Sequence, residues 1–339
     1  MLIARLRVGF FLATLVASLQ VAAAPRFWTL TGVQFEDGAV ATGYFSFDDA
    51  TGTVANWNLR VSGGPGPFIP WTFVPGNSHP WFPQPLYVYS YSPDLVPGFW
   101  WRSLVIRPLG PLDGSSTSVS IDVSTSFGDV VNGVYVSHDF FENDYDGVNP
   151  LGRVGQSRKI IAGSLMLTPL PPPVMIVQVD EFYHPGLRHY FITADAAEKQ
   201  LLDTGVYPGW ERTGESFMAY ATGSGGNGSI SPVCRFYGDP KRGLDSHFYS
   251  ADTVECVTVI VSFPSEWLLE SDNVFQINLP DAASGACPAG TIPVYRLWDQ
   301  RGDSDHRYTT SAAIKTQMLA AGYVSEGHGP DGVVMCAVQ

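Results

Sequence analysis

Three histidines recur in the C-terminal half at nearly constant spacing: His189, His247 and His306 lie 58 and 59 residues apart. Three imidazoles meeting at one point are the donor set of an open zinc site, with a fourth position left for water or substrate. Each histidine is followed two residues later by an aromatic, Phe191, Tyr249 or Tyr308. In a strand, residues two apart share a face, so the same spacing describes histidines packed on rings in a core. That packed set is the expectation, and neither a metal nor a cofactor is assigned to it.

Other residue groups have chemistry to offer. HDFFENDYDGVNP holds Asp139, Glu142, Asp144 and Asp146, oxygen donors of the kind calcium takes. Their spacing is not that of an EF-hand loop, so the stretch reads as a solvated acidic turn. PWTF, HPWFPQP and GFWWR set Trp71, Trp81, Trp100 and Trp101 beside prolines or in loops between strand-like runs. Exposed tryptophans stack on the apolar faces of sugar rings; packed inward, they fill a core. Trp81, Trp100 and Trp101 are the candidate ligand contacts. The chain has no GxSxG elbow, HExxH helix, P-loop or dinucleotide fingerprint.

The four cysteines are Cys234, Cys256, Cys287 and Cys336. MLIARLRVGFFLATLVASLQVAAAP has the basic start, short apolar run and small-residue end of a secretory signal, expected over residues 1–23. No later segment offers the roughly 18 apolar residues of a membrane span. In an exported chain an even cysteine count reads as disulfides, with three pairings open to four cysteines. Cys234 with Cys256 and Cys287 with Cys336 is the expected set, one tying a strand to the helix of its own repeat and one fastening the chain end. A net charge of −13 and the absence of a basic run argue against nucleic acid as a partner.

These residues need elements to hold them. At 339 residues, 45% hydrophobic and only 15% charged, the chain is long enough for two domains with cores of their own. From Phe27 to about Leu167, short β-type runs alternate with turn chemistry, which predicts an antiparallel β-sandwich over residues 24–168. Leu170-Pro171-Pro172-Pro173 then predicts a stiff linker over 169–177.

Residues 178–339 write one phrase three times, over about 178–222, 232–279 and 292–339. LRHYFITADAAEKQLL, DSHFYSADTVECVTVI and SDHRYTTSAAIKTQML are its centres. Each copy parses as strand, strand, helix, strand, with Thr193, Ser250 and Thr310 or Ser311 expected as helix N-caps. One such unit is too small to bury its own apolar face, so three are expected to close on a shared core with approximate threefold symmetry. The predicted class is therefore mainly β, a sandwich followed by a domain of three ββαβ repeats.

Two resemblances add to this reading. TLTGVQFEDGAVATGYFSFDDATGTVANWNLRVSGG resembles the β-rich ectodomain of secreted bacterial proteins of the PEP-CTERM type, over roughly residues 27–170. GSLMLTPLPPPVM departs from that pattern, since no membrane segment or basic tail follows it. CRFYG, SHFYSAD, CPAG, PVYRLW and HRYTT resemble a repeat domain of unknown function found at the C-terminus of many secreted bacterial proteins, over about residues 178–339. The resemblances imply export and an accessory module, and they bring no catalytic residue. The functional expectation is a secreted, non-catalytic surface or extracellular protein that binds glycans or cell-envelope material. A structural or adhesion protein with a protein partner is the alternative, and a secreted hydrolase ranks behind both.

Overall fold

The computed structural model describes residues 25–65, 69–80, 86–92, 100–123, 138–143, 154–170, 172–225 and 230–339. The signal-like segment, Trp81, Asp144 and Asp146 lie outside them. Trp100, Trp101, Asp139 and Glu142 are placed only as strand backbone.

The first half is built from β1 (Arg26–Phe35), β2 (Val40–Asp48), β3 (Thr53–Ser62), β4 (Trp71–Phe73), β5 (His79–Pro80), β6 (Leu86–Ser92), β7 (Trp100–Ile106), β8 (Ser118–Ser120), β9 (His138–Asn143) and β10 (Val154–Thr168). They form one antiparallel path, β4-β3-β2-β1-β10-β9-β7-β6-β5, with β8 also on β10. Strand β10 is long enough to serve two neighbours, pairing β9 from Val154 to Lys159 and β1 from Ile160 to Thr168. Alternating residues such as Trp28 and Leu30 on β1, and Val119 in β8 with Ile121 just after it, turn one face inward. They meet Phe45, Leu59 and Phe73 from one arm of the path and Leu86, Val88, Leu104 and Ile106 from the other in a single core. Trp71 is not a loop residue: it lies in β4 and is 4% exposed. Trp100 and Trp101 likewise open β7, paired with β6 and β9.

The second half carries β11 (Ile176–His184), β12 (His189–Thr193), α1 (Ala196–Asp203), β13 (Glu211–Tyr220), β14 (Ile230–Pro232), β15 (Cys234–Gly238), β16 (His247–Ser250), α2 (Thr253–Ser262), β17 (Trp267–Ser271), β18 (Gln276–Asn278), β19 (Thr291–Trp298), β20 (His306–Thr309), α3 (Ala312–Ala320), β21 (Val324–Glu326) and β22 (Val333–Val338). Three segments show the same local order. In each, the first strand lies in the middle of three: β12-β11-β13, β16-β15-β17 and β20-β19-β21. A helix links the second strand to the third. Strands β13, β18 and β22 also pair each with the other two, through Tyr220 with Gln276, Met218 with Val338 and Asn278 with Cys336. Their mutual pairing closes the three segments around one core, to which Phe182, Tyr249, Phe275, Tyr308 and Met335 contribute.

Two of the three helix starts differ from the sequence expectation, and at the third the expected Ser311 is the cap. Asp195, Asp252 and Ser311 are the N-caps, each side chain accepting from a first-turn amide. Thr193, Ser250 and Thr309 stand two residues earlier, where each hydroxyl accepts from the N-cap residue's own N–H. Both oxygens of the Thr/Ser-x-Asp/Ser pattern are therefore used, and the one nearer the helix caps it.

Cys234 is bonded to Cys256, joining β15 to α2, and Cys287 to Cys336, joining the loop before β19 to β22. Closing loops of 22 and 49 residues restricts the unfolded chain by about 3 and 4 kcal/mol respectively on the chain-entropy account.

The two halves dock on one another. Val257 and Val261 of α2 are buried in the same cluster as the first-half core. Around them Arg60 Nη2 donates to Asp272 at 2.7 Å, and the Thr72 hydroxyl donates to the other Asp272 oxygen at 2.7 Å. Asn58 donates to Gln276 and to the Ser224 carbonyl. The proline-containing connection is tied down as well, with Gly225 N–H donating to Pro173 and Met175 N–H to the Ser224 hydroxyl.

Candidate functional site

Strand register decides which residues of the three segments correspond. Tyr183 pairs with Tyr190, Tyr237 with His247 and Trp298 with His306. Tyr190, not His189, is thus the counterpart of His247 and His306. Phe191, Phe248 and Arg307 follow it, then Ile192, Tyr249 and Tyr308. Two residues before it Arg188, Asp245 and Ser304 all take positive φ, between 56° and 69°, so the hairpin loops end in the same backbone turn. Aligning histidine on histidine misses this by one residue in the first segment, and one residue reverses a strand side chain to the other face.

The three histidines do not meet. His189 is 2% exposed, with Nδ1 2.9 Å from the Asp245 carbonyl and Nε2 2.9 Å from Asp303 Oδ2. His247 Nε2 stands 3.5 Å from Glu270, and His306 Nε2 3.4 Å from Glu326. Phe191 lies edge-on to His247 at 4.7 Å, and Phe248 to His306 at 5.2 Å. At the third junction Arg307 covers the Tyr190 ring at 4.4 Å. Tyr249 Oη takes up the backbone of Ile192, and Tyr308 Oη that of Tyr249. Among the described residues no group of three or more His, Cys, Asp or Glu side chains is arranged to hold a metal ion.

An ion-pair chain runs across the junctions. Glu198, in the first turn of α1, accepts two bonds from Arg235 of the next segment, and Arg235 Nε faces Glu270 at 2.7 Å. Glu255, in the first turn of α2, accepts two from Arg296, whose Nε faces Glu326 at 2.8 Å. The third junction lacks both members: Ile314 stands at the helix position, and Glu181 at the strand position that Arg235 and Arg296 occupy. There Arg307 pairs directly with Glu181 at 2.8 Å. The charges have exchanged sides and the pairing survives.

At the first junction these residues wall a cleft of about 340 Å³. Phe191, Tyr207, Trp210 and Tyr237 form its aromatic sides, and Glu198, Arg235, Asp245, His247 and Glu270 its polar ones. Trp210 is held by Phe191 at 5.8 Å and by the edge of His184 at 5.4 Å. Gly209 makes that contact feasible. Its φ is +89°, and a Cβ there would fall 2.3 Å from His184 Nε2. Tyr207 stands 53% exposed at the rim beside Leu201. Burial, aided by the hydrogen bond to Asp245, pushes the Tyr237 hydroxyl up to about 12, so it stays protonated. Burial alone would raise the Glu270 carboxyl, but His247 and Arg235 outweigh it and hold the group below the ordinary range. Glu270 is therefore an anion. A cavity of this size, with aromatic walls and a few fixed polar groups, suits one or two rings of a small ligand.

Most of this lining lay outside the sequence reading. A signal was present in it: ADAAEK and ADTVEC repeat a capping aspartate with glutamate three residues on, and CRFYG and VYRLW repeat an arginine in the first strand. What the sequence does not show is that each glutamate reaches the arginine of the following segment.

Residues 173–275 match the model of a family described as Domain of unknown function (DUF5648). The match takes in the first segment, β15 to β17 of the second and the whole cleft, and stops before β18 and the third segment. No curated protein and no solved structure matches the chain.

Proposed function

We propose that the chain is an exported, non-catalytic binding protein that holds glycan or cell-envelope material in the cleft between its first two segments. The observation that carries this reading is the aromatic lining, Phe191, Tyr207, Trp210 and Tyr237, set against carboxylates in one cleft of about 340 Å³. Flat rings take the apolar faces of sugars, and carboxylates take their hydroxyls. Two disulfides and the absence of a helix long and apolar enough to cross a membrane, among the described residues, fit an extracellular setting.

The test is a glycan array and a polysaccharide pull-down with purified protein, wild type beside Trp210→Ala. Retention of the wild type and loss in the variant supports the reading. Concentration-dependent self-association with no glycan retained would replace it with an adhesion role. A substitution series at Trp100 and Trp101 asks separately whether the first half adds a contact of its own.

A further inference from the structure

The cleft is not electrically neutral. Its lining holds three carboxylates, Glu198, Asp245 and Glu270, and one guanidinium, Arg235. Arg235 has little to offer a ligand, because its side chain is 11% exposed and is engaged by Glu198 and Glu270 together. The side chains of Glu198 and Glu270 keep about a third of their surface, 32% and 33%. The two glutamates thus remain more accessible than the guanidinium between them, which is shut in. The same lining includes Tyr207, Trp210 and Tyr237, and the face of an aromatic ring attracts a cation within about 6 Å of its centre.

Resting on the glycan reading above, we propose that this cleft selects amino sugars bearing a free ammonium group over neutral, N-acetylated or acidic sugars. The ring stacks on Tyr207 and Trp210, and the ammonium is met by Glu270 and Glu198. An acidic sugar would place a second anion beside Glu270 with no free cation in the lining to receive it.

The probe is a glucosamine tetramer, set against its fully N-acetylated form, a neutral glucan tetramer and a uronic acid tetramer. Binding is measured on the full chain by titration calorimetry at low and at moderate salt. The expected result is at least about tenfold tighter binding of the glucosamine tetramer than of the other three, weakening as salt rises. Glu270→Gln should remove most of that preference. Tyr207→Ala, a change at an exposed position that leaves the protein's charge untouched, should weaken binding severalfold and remains informative if Glu270→Gln does not fold. Equal affinity for the glucosamine and N-acetylated forms would overturn the preference and leave the glycan reading standing. No affinity for any of the four would count against both. Glucosamine binding unaffected by Tyr207→Ala would mark adsorption to an acidic surface and overturn the site.

Discussion

Arg235 Nη2 lies 2.7 Å from Glu198 Oε1, and the two residues come from neighbouring segments. The relationship repeats between Arg296 and Glu255 at 2.7 Å. It recurs with the charges exchanged between Arg307 and Glu181 at 2.8 Å. Each pair sits beside an aromatic ring: Arg235 over Phe191, Arg296 over Phe248 and Arg307 over Tyr190. Segment contacts are thus made by one arrangement, written forwards twice and reversed once.

The reversal is testable by rebuilding it. Glu181 is 2% exposed, so Glu181→Arg alone buries a second cation beside Arg307 and should cost about 3 to 5 kcal/mol. Adding Arg307→Phe and Ile314→Glu recreates the residue set of the first two junctions and should recover most of the loss. Urea denaturation of the single and triple variants measures both. A triple variant as unstable as the single one would show that the third junction is not equivalent to the others.

Tyr249 and Tyr308 each place a hydroxyl against the backbone of the preceding segment. Tyr308→Phe leaves the ring in place and removes hydrogen bonds to the Tyr249 N–H and carbonyl, a loss of about 1 to 3 kcal/mol. Hydrogen exchange at Tyr249 N–H should speed up in this variant, and exchange at distant first-half strands should not.

The pH dependence carries opposite contributions. Asp305 is fully buried and accepts from Tyr190 N–H; burial, with the nearby Asp299 charge, pushes its carboxyl well above the ordinary aspartate range. A raised acid in the folded state binds its proton more tightly there, so this group costs stability as pH rises from the unfolded aspartate value towards the folded one. Asp305→Asn should therefore be close to neutral at pH 4 and increasingly stabilising towards pH 8, as read by melting temperature. On the acid side, Glu255 and Glu326 are held below the ordinary glutamate range. Burial would raise both, but Arg296 outweighs it at Glu255, and His306 with Arg296 at Glu326. Their contribution is present above the unfolded glutamate value and lost as pH falls through the folded ones. Glu255→Gln should flatten that acid limb.

The disulfides give a further prediction. Cys234→Ala with Cys256→Ala removes the bridge between β15 and α2 and should cost about 3 kcal/mol. Because α2 also packs on the first-half core through Val257 and Val261, the loss should appear in the unfolding of both halves. Two separated transitions in the wild type, with only the second moved, would show that the halves fold independently. Denatured wild type should show no free thiol before reduction and four after it.

The docked halves should also survive a break in the chain. A protease nick between Leu170 and Val174, where both residues are exposed, should leave the two pieces co-eluting on size exclusion. Asp272→Ala, which removes the acceptor for Arg60 and Thr72, should let them separate.

Much of this protein is set by local chemistry and is legible in its residues. Period-two patterns mark β1 and β3, and recurring phrases run through β12 with α1, β16 with α2 and β20 with α3. Ser311 begins a helix where its position suggests, because a short side-chain oxygen satisfies a first-turn amide, whereas Asp195 and Asp252 cap in place of the expected Thr193 and Ser250 two residues earlier. Four cysteines in one half limit the bridges to three pairings. Tertiary structure decided what depends on partners far along the chain. Tyr190 replaced His189 as the counterpart of His247 because hairpin pairing, and not residue identity, sets which side chain faces which neighbour. Glu198 found Arg235, and Glu181 found Arg307, only when the segments closed on one another. The cleft belongs to neither segment alone, since Phe191, Glu198, Tyr207 and Trp210 come from the first and Arg235, Tyr237, Asp245, His247 and Glu270 from the second. Helix α2 shows the same limit: its valines satisfy the pattern of a core helix, and only docking reveals that part of the core they enter belongs to the other half of the molecule.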